Sequence, residues 1–461
     1  MESQQRYRKE NDPLGEVLLP INAYYGAQTQ RAVDNFQISG LKLPRSFIKA
    51  QGIIKASAAL VNMETGKLSN EMGKAIIQAA EEVITGNWDD HFVVDVYQAG
   101  AGTSQNMNAN EIIANRASEL LGGTKESKLV HPNDHVNMSQ STNDTFPAAM
   151  NMAAADNIVH RLIPSITQLV QALQKKSDEL MPVVKSGRTH LHDAVPMRLG
   201  QEFLGYAGSI QAVLKKIETN LDELYEIGLG GNAIGTLYNL NPQYIPMIMK
   251  EVCQRTNLPF REPANLFRFM QNPCAAIGMM LSLKELAIHL IKITSDLRLL
   301  SSGPRTGFSE ITLPSVQPGS TIMPGKVNPA ILEMIHMVCC QVIGYEAAIA
   351  TAGMAGQLEI NVMMPVIAYT LLQAIELLSN ALPILVTKCI QGIEANEERC
   401  KQLMEASLAL VTGLSPSMGY DLASQIGMQA DEENKTLEQV LQEKGLLTEE
   451  TGKALDPNGM L

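Results

Sequence analysis

The sequence predicts a mainly all-α fold built around a bundle of long helices. Three observations carry this. Apolar residues recur at helical spacing in five long stretches, about 145–181, 199–225, 274–301, 329–352 and 362–394. Aromatic residues make up only 5% of the chain, with Trp88 the single tryptophan, while methionine is frequent at 24, a balance that suits helix-on-helix packing. Charged residues are 18% and apolar residues 45%, so the faces of these stretches are apolar nearly all round, and helices of that kind are buried by other helices. At 1.5 Å per residue, helices of roughly 24 to 37 residues would span about 36 to 55 Å. Five such helices cannot cover one another fully, so the expected arrangement is a homo-oligomer whose subunits share one large bundle.

Taken in order, the elements begin with a polar segment, Met1 to Asp12, that has no apolar signal-peptide core. Leu14 to Pro20 reads as a short strand or extended arm, and Tyr24 to Arg31 starts a helix. Two amphipathic helices follow between Ser46 and Ile84, broken at Gly66. Trp88 to Gly102 is a loop, and Thr103 is the expected N-cap of a helix running to about Leu121. Lys125 to Asp144 is polar and irregular, and its last four residues, Ser141 to Asp144, supply more hydrogen-bonding groups than a cap requires. After the first long helix, Val184 to Pro196 reads as a loop carrying Gly187-Arg188-Thr189-His190-Leu191-His192-Asp193. Gly228 to Asn241 is a glycine-rich break before a shorter helix near Pro242 to Thr256. A Gly/Pro-rich loop runs from about Gly303 to Asn328, and the acidic segment from Ala395 to Leu461 reads as a small helical appendage. The 461 residues, enough for two to four domains by length, divide in this reading into 1–144, 145–394 with the catalytic loop 303–328, and 395–461.

Several function classes are excluded. A net charge of −12 argues against nucleic acid, which needs clustered Lys and Arg. The six cysteines (Cys253, Cys274, Cys339, Cys340, Cys389, Cys400) form neither a CxxC nor a Cys/His ligand spacing, so no metal is expected and they read as reduced core thiols of a cytoplasmic protein. No GxGxxG follows a strand and no Walker motif is present, so no nucleotide or other cofactor is expected. The apolar run from Val362 to Val386 is interrupted by Gln373, Glu376 and Asn380 and reads as a bundle helix rather than a membrane span.

Four polar loops at helix ends carry the chemistry: Gly100–Glu111, His131–Asp144, Gly187–Asp193 and Gly303–Asn328. Together they supply the hydroxyls of Thr103, Ser141, Thr142, Thr189, Ser320 and Thr321, the amides of Asn143 and Asn328, the cations Arg188 and Lys326, and His190. The set lacks metal ligands and is rich in carboxylate donors. The expected substrate is a small polycarboxylate and the expected chemistry proton transfer.

Gly319-Ser320-Thr321-Ile322-Met323-Pro324-Gly325-Lys326-Val327-Asn328 resembles the signature loop of the aspartase/fumarase superfamily, Gly-Ser-Ser-x-Met-Pro-x-Lys-x-Asn, with Thr321 in place of the second serine. Gly102-Thr103 with Asn106-Met107-Asn108, His131 to Asp144 and Gly187-Arg188-Thr189-His190 resemble the family's other motifs in order, across essentially the whole chain. The resemblance implies a three-domain fold whose central five-helix bundle forms a twenty-helix core in a homotetramer, with each active site built from three subunits. It implies reversible anti elimination from a small dicarboxylate through an aci-carboxylate intermediate to give fumarate. Ser320 would be the base on a mobile loop. Lys326, Asn328 and Thr189 would hold one carboxylate, and Thr103, Ser141, Thr142 and Thr321 the other. Asn143 and His190 would lie near the leaving group, with Glu333 supporting His190.

Within the superfamily, Ala101, Thr103-Ser104, Asp95, Ala194-Val195-Pro196-Met197 and Gly356-Gln357-Leu358-Glu359 with Asn361-Val362-Met363 resemble the branch that releases ammonia from L-aspartate, and this is the reading expected here. The alternative is class II fumarase, which releases water from L-malate. Gly26-Ala27-Gln28-Thr29-Gln30-Arg31 and Asn143-Asp144-Thr145-Phe146-Pro147 resemble that branch. Gly230 to Asn239 departs from both, which usually carry Thr at 232 and Gly-Leu at 237–238; Asn232 and Tyr238 are expected to reshape the pocket floor. His192, His289 and His336 are expected to be structural. His131 and His135 resemble a secondary anion site of the family, with a plain surface-loop role equally open.

Overall fold

The computed structural model describes residues 7–238 and 240–461; expectations that fall on residues 1–6 and on Asn239 lie outside the described residues. The fold is mainly helical, as the sequence predicts. The chain opens with an antiparallel pair, β1 (Tyr7–Asp12) and β2 (Gly15–Pro20), in which Val17 and Leu19 turn inward. Then come α1 (Ala27–Asn35), α2 (Arg45–Glu64), α3 (Asn70–Ile84), α4 (Thr103–Leu120) and α5 (Thr142–Asn157). A π-helical turn, Ile158–Leu162, links α5 to α6 (Ile163–Leu180), so the first long stretch is one apolar run with a widened turn inside it. β3 (Val184–Thr189) and β4 (His192–Arg198) lead into α7 (Leu199–Leu224), followed by α8 (Tyr244–Thr256), the short α9 (Leu266–Gln271) and α10 (Cys274–Leu300). β5 (Ile311–Thr312) lies within the Gly/Pro-rich stretch read as a loop from Gly303 to Asn328, and α11 (Ala330–Met354) and α12 (Met364–Lys388) follow. β6 (Glu394–Ala395), which pairs with β5, and α13 to α17 (Glu397–Glu405, Val411–Met418, Tyr420–Glu432, Leu437–Glu443, Glu449–Ala454) complete the chain.

Two compact units result. One comprises the described residues up to Pro164 with Lys215–Glu285 and Cys340–Ser379; the other comprises Ser165–Leu214, Leu286–Cys339 and Asn380–Leu461. In the first unit α2 is the central helix, packed by α3, α5 and α8, and it is buried on most of its circumference. Gly52 lets α3 come close: a Cβ there would lie 2.8 Å from the Ile84 side chain. Phe47 meets Phe146 at 4.6 Å between ring centroids, joining α2 to α5. In the second unit, Leu410, Leu414, Ala423, Ile426, Val440 and Leu441 form the core of the C-terminal helices.

Four local expectations change. The segment read as a loop at Val184–Pro196 is the β3–β4 hairpin, with Thr189 opposite His192 and a bulge at Ser186/Gly187. Thr103 is the first residue of α4, and its N-cap is Gly102 at φ 84, a left-handed conformation that glycine adopts at no steric cost. A Cβ on Gly102 would also lie 2.1 Å from the Phe146 ring. α9 breaks the stretch between the shorter and longer helices, and Cys340 is exposed rather than a core thiol. Three helical segments, Cys274–Leu300, Ala330–Met354 and Met364–Gly392, are long and apolar enough to cross a membrane by length and composition.

Candidate active site

The first unit gathers the motifs of α4 and α5. Ser141 is the N-cap of α5: its hydroxyl accepts from the Asn143 N–H at 3.2 Å, while its own N–H donates to Asp144 Oδ1 at 3.0 Å. Thr142 opens the helix, and its Oγ1 accepts a 3.0 Å hydrogen bond from Asn106 Nδ2 of α4. The N-termini of α4 and α5 therefore lie side by side, and helix N-termini favour anions. Thr103 is exposed at the start of α4. Behind Asn106 stands Lys55 of α2, fully buried, its ammonium donating to Asn106 Oδ1 at 2.8 Å, Asn137 Oδ1 at 3.0 Å and Gln140 Oε1 at 3.0 Å. Burial pulls Lys55 down to about 7, opposed by the charge of Asp144.

Asp144 does two things. One oxygen closes the cap at Ser141; the other accepts from the N–H groups of Gly230 at 3.2 Å and Asn232 at 2.8 Å. It so ties the glycine-rich loop to the start of α5, and Asn143 adds a bond from Nδ2 to Ala233 O at 2.8 Å. Burial pushes the Asp144 carboxyl up to about 7 against these donors. Asn232 sits at φ 54, a left-handed position that asparagine tolerates far better than the β-branched threonine usual there. Tyr238 is 77% exposed in the single chain. Leu237 is left-handed at φ 56, where the family usually has glycine.

In the second unit the β3–β4 hairpin displays His190. The turn is His190-Leu191, both left-handed at φ 58 and φ 62, which is the backbone of a two-residue type I′ turn. Neither residue is the Asn or Gly that such a turn favours, and strain of this kind collects at functional sites. The hairpin is pinned by charge pairs: Lys185 reaches Glu202 at 2.6 Å and Glu310 at 3.0 Å, and Arg188 reaches Glu310 at 3.0 Å with its guanidinium 4.3 Å from the Phe308 ring centroid. Arg188, counted among the cations for a substrate carboxylate, is thus committed to Glu310 within the chain.

The signature loop is exposed around its tip. Ser320 Oγ accepts hydrogen bonds from the N–H groups of Met323 at 2.8 Å and Ile322 at 3.2 Å. Two backbone donors on one hydroxyl oxygen favour its deprotonated form. Asn328 Nδ2 donates to Gly319 O at 2.5 Å, and Gly319 N–H to Lys326 O at 2.9 Å, so the loop is drawn shut at its base. A Cβ on Gly319 would lie 2.5 Å from the Asn328 nitrogen, which explains glycine at that point. One N–H of the Asn328 amide is already used, leaving the other for a ligand. Thr321 and Lys326 are exposed on the same loop. Glu333 lies in the first turn of α11.

The expected site residues fall into two groups: Thr103, Ser141, Thr142 and Asn143 belong to the first unit, and Thr189, His190, Ser320, Thr321, Lys326, Asn328 and Glu333 to the second. Sequence reasoning missed Lys55, although a single lysine inside the apolar run Gly52 to Val61 was a readable signal. It also left Asn137 and Gln140 as loop residues. His131 and His135 use their Nδ1 atoms on backbone N–H groups of Asp134 and His131, at 3.1 and 2.9 Å, so both cap their own turn. His336 bonds Ile291 O and Ser295 Oγ, each at 3.2 Å, a structural role as expected. No cluster of metal-ligating residues occurs among the described residues.

The chain matches the family described as Lyase over residues 15–344 and the family described as Fumarase C C-terminus over residues 410–461. It is 45% identical over 455 residues to a curated protein named fumarate hydratase class II 2 from Bradyrhizobium diazoefficiens, covering 98% of this chain and 96% of that one. It is also 45% identical over 444 residues to an aspartate ammonia-lyase from a Bacillus species, covering 96% and 95%. The fold superposes on a class II fumarase from Schistosoma mansoni with a TM-score of 0.95 at 37% identity, covering 98% of both chains. Hydratases are the more frequent name among the similar curated relatives.

Proposed function

The chain belongs to the Lyase family that holds class II fumarases and aspartate ammonia-lyases, and from that premise we propose that it interconverts L-malate and fumarate by reversible anti elimination of water. The observation that carries the elimination is Ser320, whose hydroxyl oxygen accepts two backbone N–H bonds beside the closed base of the signature loop. Held in its deprotonated form, Ser320 removes the C3 proton. Charge then moves into the adjacent carboxylate, giving an aci-carboxylate that hydroxyl and amide donors stabilise. Expulsion of the C2 substituent restores the carboxylate and leaves the double bond, with a proton delivered to the departing hydroxyl as water. Thr103, Ser141, Thr142 and Thr321 hold one carboxylate. Thr189, Lys326 and Asn328 hold the other, and Asn143 and His190 lie by the leaving group with Glu333 behind His190. Loop closure brings Ser320 to the substrate.

Water as leaving group is supported by the prevalence of fumarate hydratases among the relatives, and we favour it on that ground over the ammonia reading expected from the sequence. The ammonia reading keeps its support in Ala101 and Thr103-Ser104, Asp95, Ala194-Val195-Pro196-Met197 and Gly356-Gln357-Leu358-Glu359 with Asn361-Val362-Met363. We further propose a homotetramer with a twenty-helix core and sites shared by three subunits, working in the cytoplasm. The support for the assembly is the long apolar α11, whose Met337 is 67% and Met354 78% exposed in the single chain. The experiment is direct: supply L-malate or L-aspartate and follow fumarate by absorbance. Fumarate from malate alone is the expected result. Fumarate from aspartate alone would replace the hydratase reading, and none from either would end both.

A further inference from the structure

We propose that Lys55 is a positioning residue that fixes the Thr142 hydroxyl as a hydrogen-bond donor to substrate, acting through the side-chain amide of Asn106. This rests on the reading of Thr142 as a carboxylate contact. An ammonium has three N–H donors and no acceptor. The three bonds from Lys55 go to the amide oxygens of Asn106, Asn137 and Gln140, at 2.8, 3.0 and 3.0 Å. Each amide is thereby held with its oxygen toward the cation. For Asn106 the consequence is that Nδ2 must face the other way, where it donates to Thr142 Oγ1 at 3.0 Å and to Asn137 Oδ1 at 3.2 Å. Gln140 is set likewise, its Nε2 donating to Val136 O at 2.9 Å.

Thr142 Oγ1 thus receives a hydrogen bond from the protein, and its own O–H remains to donate to a ligand. Without the cation, the Asn106 amide is free to turn over. Its oxygen would then face Thr142, the hydroxyl would donate inward, and a substrate carboxylate would meet a lone pair instead of a donor. The path from the cation to the hydroxyl is buried: Lys55 is 1%, Asn106 3% and Thr142 8% exposed. A buried charge without partners would be costly, so the three oxygens and the orientation they impose come together.

The test is a double-mutant cycle read as KM for fumarate. Thr142→Val is expected to raise KM roughly tenfold or more, the scale of one hydrogen bond to a charged group. Lys55→Met, which fills the same space, is expected to raise KM similarly with a smaller change in kcat. The double variant is expected to be no worse than Thr142→Val alone, because both lesions remove one donor. A purely structural lysine would lower the active fraction without moving KM. If the Lys55 variant does not fold, Asn106→Asp replaces it: a carboxylate only accepts, so Thr142 is forced to donate inward while Lys55 gains a charged partner. Multiplicative effects in the double variant, or unchanged KM in Lys55→Met or Asn106→Asp, overturn the inference. Unchanged KM in Thr142→Val overturns the substrate-contact reading itself and this inference with it.

Discussion

Ser320 is a hydroxyl asked to act as a base, so its removal separates chemistry from binding. Ser320→Ala keeps the backbone of the loop and should lower kcat by on the order of 10²- to 10⁴-fold, with KM little changed. Steady-state kinetics with fumarate check this, and retained kcat would move the base elsewhere. A second prediction concerns the buried pair behind the site. Asp144 has its pKa raised by burial to about 7, so its contribution to stability is present below the unfolded value near 3.8 and is lost as pH rises through about 7. Lys55 has its pKa lowered by burial to about 7, so its contribution is present above 10.5 and is lost as pH falls through about 7. The two together make a stability minimum near neutrality, with limbs of up to about 1.4 kcal/mol per pH unit. Urea midpoints from pH 5 to 10 should show Lys55→Met flattening the alkaline limb and Asp144→Asn the acidic one. Variants that merely shift the whole curve would refute the assignment.

Among the elements, the glycine-rich loop from Gly228 to Asn241 carries the clearest strain. Leu237 is left-handed at φ 56 and 41% exposed, so its side chain gains little burial in return. Left-handed geometry costs roughly 1–2 kcal/mol for an ordinary residue. Leu237→Gly should therefore stabilise the protein by about 0.5–1 kcal/mol after the entropy of glycine is counted. Chemical denaturation measures it, and a destabilised variant would show that the leucine side chain has a packing role. The same elements show why some of the structure was legible and some was not. The long helices were, because their apolar period repeats over many turns. The β3–β4 hairpin was not: its turn residues, His190 and Leu191, lack the Asn-Gly signal, and the buried Lys185 and half-buried Arg188 break the alternation expected of a strand. The Arg188–Glu310 ion pair was not legible for the same reason, since the two residues are 122 positions apart and nothing local announces it. The signature loop was legible residue by residue, because Gly319 and Asn328 close it through contacts within ten residues. Lys55 was overlooked because a single lysine within the apolar run Gly52 to Val61 has meaning only once Asn106, Asn137 and Gln140 surround it.

For the molecule as a whole, the proposed assembly makes the active site a property of several chains. α11 has a mean composition apolar enough for a membrane, yet only 22% of its most apolar window is buried in the single chain. An apolar face of that length needs a partner, and in a closed symmetric assembly the partner is the same helix system of other subunits. If subunits then share sites, two defects that each abolish activity can rescue one another. Ser320→Ala removes the base, and the double change Ser141→Ala with Thr142→Val removes donors of the carboxylate pocket. Co-expressed at equal levels, the two defective chains would mix at random. A site that draws Ser320 from one subunit and Ser141 and Thr142 from another is intact when both choices fall on the undamaged copy. That occurs for roughly one quarter of sites, so about a quarter of wild-type activity should return while either chain alone is inactive. A site confined to one chain carries a lesion in every copy, and the mixture would stay dead however well it assembles. Light scattering on the same samples separates the two failures: a tetramer without rescue refutes shared sites, and a monomer refutes the assembly from which they follow.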